Sequence, residues 1–409
     1  MPQKQIPTTE SKVLAIVAMA LILVGSALAA PKYQVLHAFT GGDDGGGLWS
    51  SLLLDEHGNV YGTTISGGPE GKGGTVFRLS RQANGTWSQT VLYNFCSQSG
   101  CTDGGGAYGG LIFDASGNLY GTTESGGTRV YGTVFELTPG AHSWKETVLH
   151  NFGFDKRGCC PQATLVMDDA GNLFGTASVA FELSPGADGW KETVVHLFTG
   201  QHGDGEGAYA GLIRDAAGNL YGQTEMGGSS RCGGGCGTVY QLSPTSDGKW
   251  KEHILHTFQA RWDGSSPVGA LLLDSAGNLY GTAGGGNSGY GVVFRLSLGT
   301  DGRWRETVVY NIAGGADGDG PGGGVVMDKA GNLYGTTVAG GDPNCDCGVV
   351  YKLEPQAGGK WKYTVLHSFA GYDGAQPAAN VILDSKGNLY GTTITGGAGG
   401  AGVAFELTP

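Results

Sequence analysis

Residues 271–282 read LLLDSAGNLYGT, and they contain the motif on which the whole sequence is built. Within them, the pattern Asp-x-x-Gly-Asn begins at Asp274, and an aromatic residue and a glycine follow shortly after it. The pattern occurs seven times, at intervals of 47–59 residues, beginning at Asp55, Asp114, Asp168, Asp215, Asp274, Asp328 and Asp384. Self-similarity at a period of this length indicates a repeat architecture rather than several unrelated domains.

Each repeat contains four short runs that are typical of β-strands, which we call strands A to D. In the second repeat, strand A covers 110–113, strand B starts at Asn118, strand C covers 133–137 and strand D covers 147–152. β-branched and aromatic residues in short runs, separated by Gly, Asp and Asn, favour strands and turns. The Asp-x-x-Gly-Asn segment joins strands A and B as a tight hairpin, because its Asp can accept hydrogen bonds and its Gly can adopt positive φ.

Four antiparallel strands in a repeat of this length match one blade of a β-propeller. The chain has a lone D-type strand at 32–39 and a lone C-type strand at 402–407. We therefore predict an all-β fold, a seven-bladed β-propeller of four-stranded antiparallel blades, closed by pairing the N-terminal strand with the C-terminal blade. An open stack of repeats would instead need atypical polar caps at both ends, and the sequence has neither.

The composition excludes some partners and leaves others open. The 409 residues include 80 Gly and are only 15% charged but 39% hydrophobic, which is enough for a substantial core. Lys and Arg number 24 against 36 Asp and Glu, a formal net charge of −12. An acidic protein is a poor partner for nucleic acid or an anionic membrane, so we expect neither.

The first residues have the pattern of a secretory signal peptide. Lys4 and Lys12 precede an apolar run at 13–24, and small residues follow up to Ala29. We predict a signal peptide at 1–29 and a single propeller domain at 30–409, which places the protein outside the cytoplasm, in the periplasm or beyond the cell. The alternative is an uncleaved anchor, since 13–30 lies at the lower length limit for a membrane span.

The repeat resembles a known family. The run at 271–282, the Gly-rich loop after it and the strand GVVFRL at 291–296 look like the GloVer-type tandem repeat of exported bacterial proteins. This resemblance covers nearly the whole sequence after residue 30. It implies an extracytoplasmic β-propeller-like repeat protein, often with a C-terminal surface anchor, and no established reaction. The sequence has no such anchor segment before Pro409.

A binding site on a pseudo-symmetric propeller should appear where the repeats differ. Strand A is preceded by an aromatic residue or an amide in four consecutive repeats, repeat 3 has lost its B–C loop, and Trp262 stands alone in the loop before repeat 5. Aromatic faces with polar neighbours suit sugars; alternatively, these rings fill gaps between blades. The candidate ligand-binding residues are Trp49, Tyr108, Arg157, Gln162, Tyr209 and Trp262.

Two other repeated sets are expected to be structural. An Asp-Gly pair precedes strand A in six repeats, and five strands D carry a His where the other two have Tyr. Ca²⁺ is the one cofactor that an Asp ring could bind, but it needs six to eight oxygens close together, and these carboxylates lie on different blades. We therefore expect each Asp to hold its own loop and each His to be a packed ring with one polar tip; no metal site is predicted.

The eight cysteines come in close pairs, which fits an oxidising compartment. The candidate disulfides are Cys96–Cys101, Cys159–Cys160, Cys232–Cys236 and Cys345–Cys347. The second and fourth would close small strained rings and could instead stay reduced or pair differently. Zinc is the rival interpretation, but the Cys232 loop offers no further His or Cys ligand.

No catalytic signature appears: there is no serine nucleophile elbow, no zinc-type His cluster and no phosphate loop. We therefore predict no catalytic residues. The leading hypothesis is a secreted, monomeric binding module for carbohydrate or another extracellular polymer, with a polysaccharide or a protein as ligand, bound through the face that carries the variable loops. Two other classes stand beside it: a propeller hydrolase or lyase with a metal at the channel mouth, and an architectural envelope protein without a small ligand.

Overall fold

The computed structural model describes residues 30–69, 71–155 and 158–409, and Pro31–Pro409 form one compact unit. This unit is a seven-bladed β-propeller of four-stranded antiparallel sheets, which confirms the predicted fold class. The predicted signal segment 1–29 lies outside the described residues. None of the helices in the described part of the chain has the length and hydrophobicity to cross a bilayer.

The blades follow one another along the chain, and each sheet has the order A-B-C-D. The strands of blade 1 are Leu53–Leu54, Val60–Thr63, Thr75–Arg81 and Trp87–Asn94. Those of blade 2 are Ile112–Phe113, Leu119–Thr123, Thr133–Pro139 and Trp144–Asn151. Those of blade 3 are Val166–Met167, Leu173–Thr176, Val179–Gly186 and Gly189–Leu197. Those of blade 4 are Ile213–Arg214, Leu220–Thr224, Thr238–Pro244 and Trp250–Thr257.

The remaining blades have the same pattern with small additions. The strands of blade 5 are Ser265–Leu273, Leu279–Gly284, Val292–Leu298 and Trp304–Asn311. Those of blade 6 are Val326–Met327, Leu333–Ala339, Val349–Pro355 and Trp361–Ser368. Those of blade 7 are Ile382–Leu383, Leu389–Thr392, Val403–Thr408 and the N-terminal Lys32–Ala38. Short extra strands are Gly205–Glu206, Met226–Gly227 and Asp319–Pro321, and 3-10 turns are Ser99–Cys101, Gly315–Asp317 and Ala357–Gly359.

The A–B hairpin is held by its Asp, as the motif predicts. In blade 2, one oxygen of Asp114 accepts the backbone N–H groups of Ser116 and Asn118 at 2.8 and 2.9 Å, and the other accepts the Asn118 side chain at 2.8 Å. Burial raises the pKa of Asp114, but these hydrogen bonds outweigh it and keep the pKa below its usual value. Gly117 takes φ 84° in the turn, which explains the glycine of the motif.

The glycine that follows the strand B aromatic makes room for the main core residue. Gly121 lies directly opposite Phe135 of strand C, and a Cβ on Gly121 would come within 2.6 Å of the Phe135 ring. Phe135 is fully buried, and its core cluster includes Tyr61 and Val76 of blade 1. The hydrophobic core therefore lies between neighbouring blades and binds each blade to the next.

Near the propeller axis, each blade donates a side-chain hydrogen bond to the next blade, and blade 4 donates two. Strand B supplies a Thr hydroxyl, and the acceptor is a backbone carbonyl just before strand A of the following blade. These bonds are Thr63 to Gly109 (3.0 Å), Thr122 to Ala163 (3.2 Å), Thr176 to Ala210 (3.1 Å), Thr282 to Gly323 (2.7 Å), Thr336 to Ala379 (3.3 Å) and Thr392 to Ser50 (3.0 Å). In blade 4 the donor is Gln223. We call this set the inner ring.

The two chain ends meet in blade 7. Lys32–Ala38 pairs antiparallel with Val403–Thr408, from Lys32 opposite Thr408 to Ala38 opposite Val403. The Thr392 bond of the inner ring joins this last blade to blade 1. Pairing of the N-terminal strand leaves no open edge on Val403–Thr408, and exposed edges are a liability for β-proteins.

At the outer edge, the loop Asp of a junction contacts the strands D that flank it. The preceding strand D supplies a His or Tyr, as in the 3.1 Å contact of His37 with Asp44 and the 2.9 Å bond from Tyr93 to Asp103. At three junctions the following strand D donates to the Asp backbone carbonyl, in the bonds from Gln89 (2.8 Å) to Asp44, from Tyr33 (2.6 Å) to Asp373 and from Tyr363 to Asp317; the other four blades carry Glu at this position.

These outer contacts give the Asp and His side chains partners within the propeller. The Asp side chains also accept bonds from their own loops, as Asp44 does from the Thr40 N–H at 3.0 Å. Each His ring packs edge-on against the Phe two residues later, at 4.6 Å between the ring centroids of His37 and Phe39. Tyr can replace His because only the polar tip has to reach the Asp.

The first prediction concerns the glycine beneath the core Phe. Gly121→Ala should destabilise the protein by about 1–3 kcal/mol, because the added methyl group cannot be placed without moving Phe135. Gly233→Ala is the matched control, since Gly233 is exposed and a Cβ there meets nothing within 4 Å. Denaturant unfolding of both variants measures the difference, and equal stability of the two would contradict this account of the core.

The second prediction concerns two buried acids, Glu146 and Glu306, which occupy the strand D position of Gln89. Burial, and then the charge of Asp103 or Asp263, raises the pKa of each from 4.5 to about 7. Because the pKa of each Glu is higher in the folded state, its contribution to the free energy of unfolding is complete below about pH 4.5. That contribution is lost as the pH rises through about 7. Glu146→Gln and Glu306→Gln should therefore stabilise the protein at pH 8, by on the order of 1 kcal/mol each after solvent screening, and change little at pH 4.5.

The control for this prediction is Glu56→Gln, which removes the same charge from a side chain that is 88% exposed. Its effect on the unfolding free energy should be small and nearly independent of pH. A gain at pH 8 that is the same for Glu56→Gln would show that net charge, rather than the buried carboxyls, sets the pH dependence.

Candidate functional site

The propeller axis contains a cavity of about 640 Å³, lined by the segments that lead into strand A. In each blade, one residue just before strand A faces the axis. The next residue along the chain supplies the carbonyl group that accepts the inner-ring bond. The cavity is therefore lined by one equivalent residue from every blade: Trp49, Tyr108, Gln162, Tyr209, Val268, Gly322 and Ala378. Blades 1–4 supply large aromatic or amide side chains, whereas blades 5–7 supply small ones.

Four of the six sequence-predicted residues come together in this cavity. Trp49 and Tyr108 lie with ring centroids 6.0 Å apart at 50°. Trp49 and Tyr209 are 42% and 44% exposed, which is unusual for aromatic residues at the centre of a fold and leaves their faces open to a ligand. Gln162 lies in the same lining. The alternative interpretation, that these rings only fill gaps between blades, does not account for this exposure.

Polar groups accompany the aromatic ones. The Gln162 side-chain N–H donates to Glu124 at 2.6 Å, which leaves its carbonyl oxygen as an acceptor. Burial raises the pKa of Tyr108 and Tyr209, and the charges of Glu124 and Glu225 respectively raise it further. Both phenols are therefore neutral at ordinary pH and can donate hydrogen bonds.

Gln223 is a lining residue that the sequence reasoning missed. It is fully buried, and its side-chain N–H group donates to the carbonyls of Val268 and Gly269 at 2.7 Å each. Its Oε1 atom is buried and has no hydrogen-bond partner in the structure. Six blades carry Thr at this position, so a search for broken symmetry along strand B would have found both Gln223 and, two residues later, Glu225.

The structure does not place Trp262 with the other aromatic residues. Trp262 is 53% exposed, but it does not line the cavity. Its neighbour Asp263 contacts His256 on an outermost strand at 3.4 Å, so this part of the loop lies at the outer edge of the propeller. The sequence correctly placed Trp262 in the loop before blade 5 but could not tell which end of that loop approaches the axis.

Arg157 lies outside the described residues, whereas the B–C connection of blade 3 is described. Only two residues, Ala177 and Ser178, join strands B and C of blade 3. The Cys159 N–H donates to the Ala177 carbonyl at 2.9 Å.

Three of the four predicted disulfides are present: Cys96–Cys101, Cys232–Cys236 and Cys345–Cys347. The pairing of Cys159 with Cys160 has to be corrected, because both residues are free thiols. Adjacent Cα atoms joined by a trans peptide lie 3.8 Å apart, which is shorter than disulfide geometry normally requires. Burial raises the pKa of Cys160 to about 12, so this thiol is a poor nucleophile.

The cavity offers little acid–base chemistry. Among the described residues that line it, Glu225 is the one carboxylate. A general acid and a general base would both need to reach the same substrate. The lining offers aromatic faces for stacking and polar groups for hydrogen bonding.

Two solved structures share the fold. Both are extracellular domains of proteins described as hybrid two-component systems from B. thetaiotaomicron. The first has a TM-score of 0.55 at 14% identity and covers 93% of this chain and 41% of that chain. The second has a TM-score of 0.53 at 12% identity and covers 91% and 39%. This chain thus spans about two fifths of their length, and at this identity the likeness concerns the fold alone.

Comparison with curated proteins finds no match. The Gloeobacter/Verrucomicrobia repeat model matches residues 26–234, 179–315 and 233–409, so the matches extend over all seven copies of the Asp-x-x-Gly-Asn hairpin. The protein therefore belongs to the Gloeobacter/Verrucomicrobia repeat family.

Proposed function

We propose that this protein is an extracytoplasmic binding module and that it binds carbohydrate in the cavity at the propeller axis. The observation that carries the proposal is the asymmetry of the lining, with exposed aromatic faces on one side and small residues on the other. A pyranose ring presents C–H groups on its faces and hydroxyls at its edge. Trp49 and Tyr209 can stack against such faces, while polar side chains reach the edge.

The polar groups match the hydroxyls of a sugar. The Tyr108 and Tyr209 phenols are donors, and the Gln162 carbonyl and the Glu225 carboxylate are acceptors. The volume of about 640 Å³ falls within the range of sites for small ligands.

Several features support a location outside the cytoplasm. The segment 1–29 has the pattern of a secretory signal, and three disulfides are formed. The two similar solved structures are extracellular domains by their own description. We infer that the protein is exported and acts as a monomer, because the propeller presents one axial cavity per chain.

A glycan array followed by calorimetry tests the proposal. Oligosaccharides that bind the wild-type protein should bind Trp49→Ala and Tyr209→Ala at least tenfold more weakly, which corresponds to about 1.4 kcal/mol, because each variant loses one stacking face. Trp262→Ala is the matched control, since Trp262 is similarly exposed but lies outside the cavity, and its affinity should be unchanged.

Two results would contradict the proposal. One is a wild-type protein that binds no glycan on an array of neutral and acidic oligosaccharides. The other is a loss of binding in Trp262→Ala as large as in Trp49→Ala, which would move the binding surface to the outer edge of the propeller.

A further inference from the structure

The junction between blades 3 and 4 differs from the other outer junctions. Here strand D of blade 3 supplies His196, the loop supplies Asp204, and strand D of blade 4 supplies Glu252. At the other junctions at least one of these three groups is replaced or lies farther away. Among the described residues, only this set of His, Cys, Asp or Glu side chains brings three ligating atoms within 4.8 Å of one another.

The distances within this set match those between ligands of one metal ion. The Nε2 atom of His196 lies 3.3 Å from an Asp204 oxygen and 3.5 Å from Glu252 Oε1. Metal bonds of 2.0–2.2 Å in a tetrahedral arrangement separate neighbouring ligand atoms by about 3.4 Å. A cation between the three atoms would therefore need only a small movement of the Asp204 and Glu252 carboxylates toward each other.

Burial raises the pKa of Glu252, and the two carboxylates of the site lie close enough for the charge of Asp204 to raise it further. None of the ion pairs among the described residues gives Asp204 or Glu252 a Lys or Arg partner. Glu252 Oε1 is buried and has no hydrogen-bond partner. At the same strand D position of other blades, Gln89 and Tyr33 donate an N–H or O–H to the backbone carbonyl of the loop Asp. A carboxylate has no such donor.

We propose that His196, Asp204 and Glu252 bind one divalent cation of the zinc type. Imidazole and carboxylate ligands suit Zn²⁺, and three protein ligands leave a fourth position for water. Ca²⁺ would require six to eight oxygens, which this junction does not provide. The three side chains are 22%, 13% and 16% exposed, so an ion can enter from solvent while the site stays partly shielded.

The surroundings hold the ligands in place. The second oxygen of Asp204 accepts the backbone N–H and the hydroxyl of Thr199, both at 2.7 Å, which leaves the first oxygen directed at His196. The His196 ring packs edge-on against Phe198, with 4.7 Å between ring centroids. Such supporting contacts orient metal ligands and reduce the reorganisation that binding requires.

Zinc titration of the purified full-length protein tests the proposal, after dialysis against a chelator. Isothermal calorimetry and elemental analysis should give one Zn²⁺ per chain. Two variants remove a ligand with residues that other blades already carry at the same position: His196→Tyr, as in Tyr93, and Glu252→Gln, as in Gln89. Each should weaken Zn²⁺ binding at least tenfold, and Zn²⁺ should raise the melting temperature of the wild-type protein but not that of these two variants.

Matched controls come from neighbouring junctions. His37→Tyr and Glu306→Gln make the same chemical changes where three ligating atoms do not meet, and both should bind Zn²⁺ like the wild type. The proposal is overturned if the wild-type protein takes up no Zn²⁺ at pH 7.5, or if His196→Tyr and Glu252→Gln bind it with unchanged affinity. Circular dichroism of each variant separates loss of a ligand from loss of the fold.

Discussion

The inner ring of hydrogen bonds is the constraint on which the rest of the structure depends. Each bond runs from a side chain of strand B to a backbone carbonyl of the next blade, and the seventh runs from Thr392 to Ser50. A hydroxyl that donates to a carbonyl fixes both the spacing and the rotation of neighbouring blades. The residue that supplies the acceptor carbonyl occupies the same position in every repeat. The residue before it therefore faces the axis in every blade. The cavity is thus a product of the repeat itself, and only its side chains differ from blade to blade.

Pseudo-symmetry separates structural from functional residues in this protein. A feature that all blades share, such as the Asp hairpin or the glycine beneath the core Phe, stabilises a blade or joins it to the next. A feature that departs from the repeat has no such general explanation. Gln223 shows the point, because it keeps the inner-ring bond that Thr makes elsewhere and adds an acceptor that nothing in the structure satisfies.

The sequence predicts features that follow from the repeat and its register, and it fails on contacts that depend on how neighbouring blades are rotated. The motif period predicts the blades, and the register before strand A predicts that Trp49, Tyr108, Gln162 and Tyr209 line one cavity. Among the described residues, histidines of different blades do not meet, as expected, but no sequence pattern indicated that a His contacts the loop Asp and the strand D of the next blade. That contact depends on the rotation between blades, which no local pattern encodes. The free thiols of Cys159 and Cys160 were also beyond prediction, because spacing alone left reduction and pairing open.

The two proposed sites lie at opposite edges of the blades, which limits how they can act together. Cavity residues precede strand A, whereas His196 and Glu252 lie on strand D. Three strand spacings separate these edges, about 14 Å, so a cation at the outer junction cannot polarise a ligand at the axis. What such a cation can do is hold blade 3 against blade 4. These two blades supply Gln162 and Tyr209, and blade 3 has lost the B–C loop that its neighbours keep. A cross-link at the outer edge would therefore stabilise the part of the propeller where the cavity has its largest departures from symmetry.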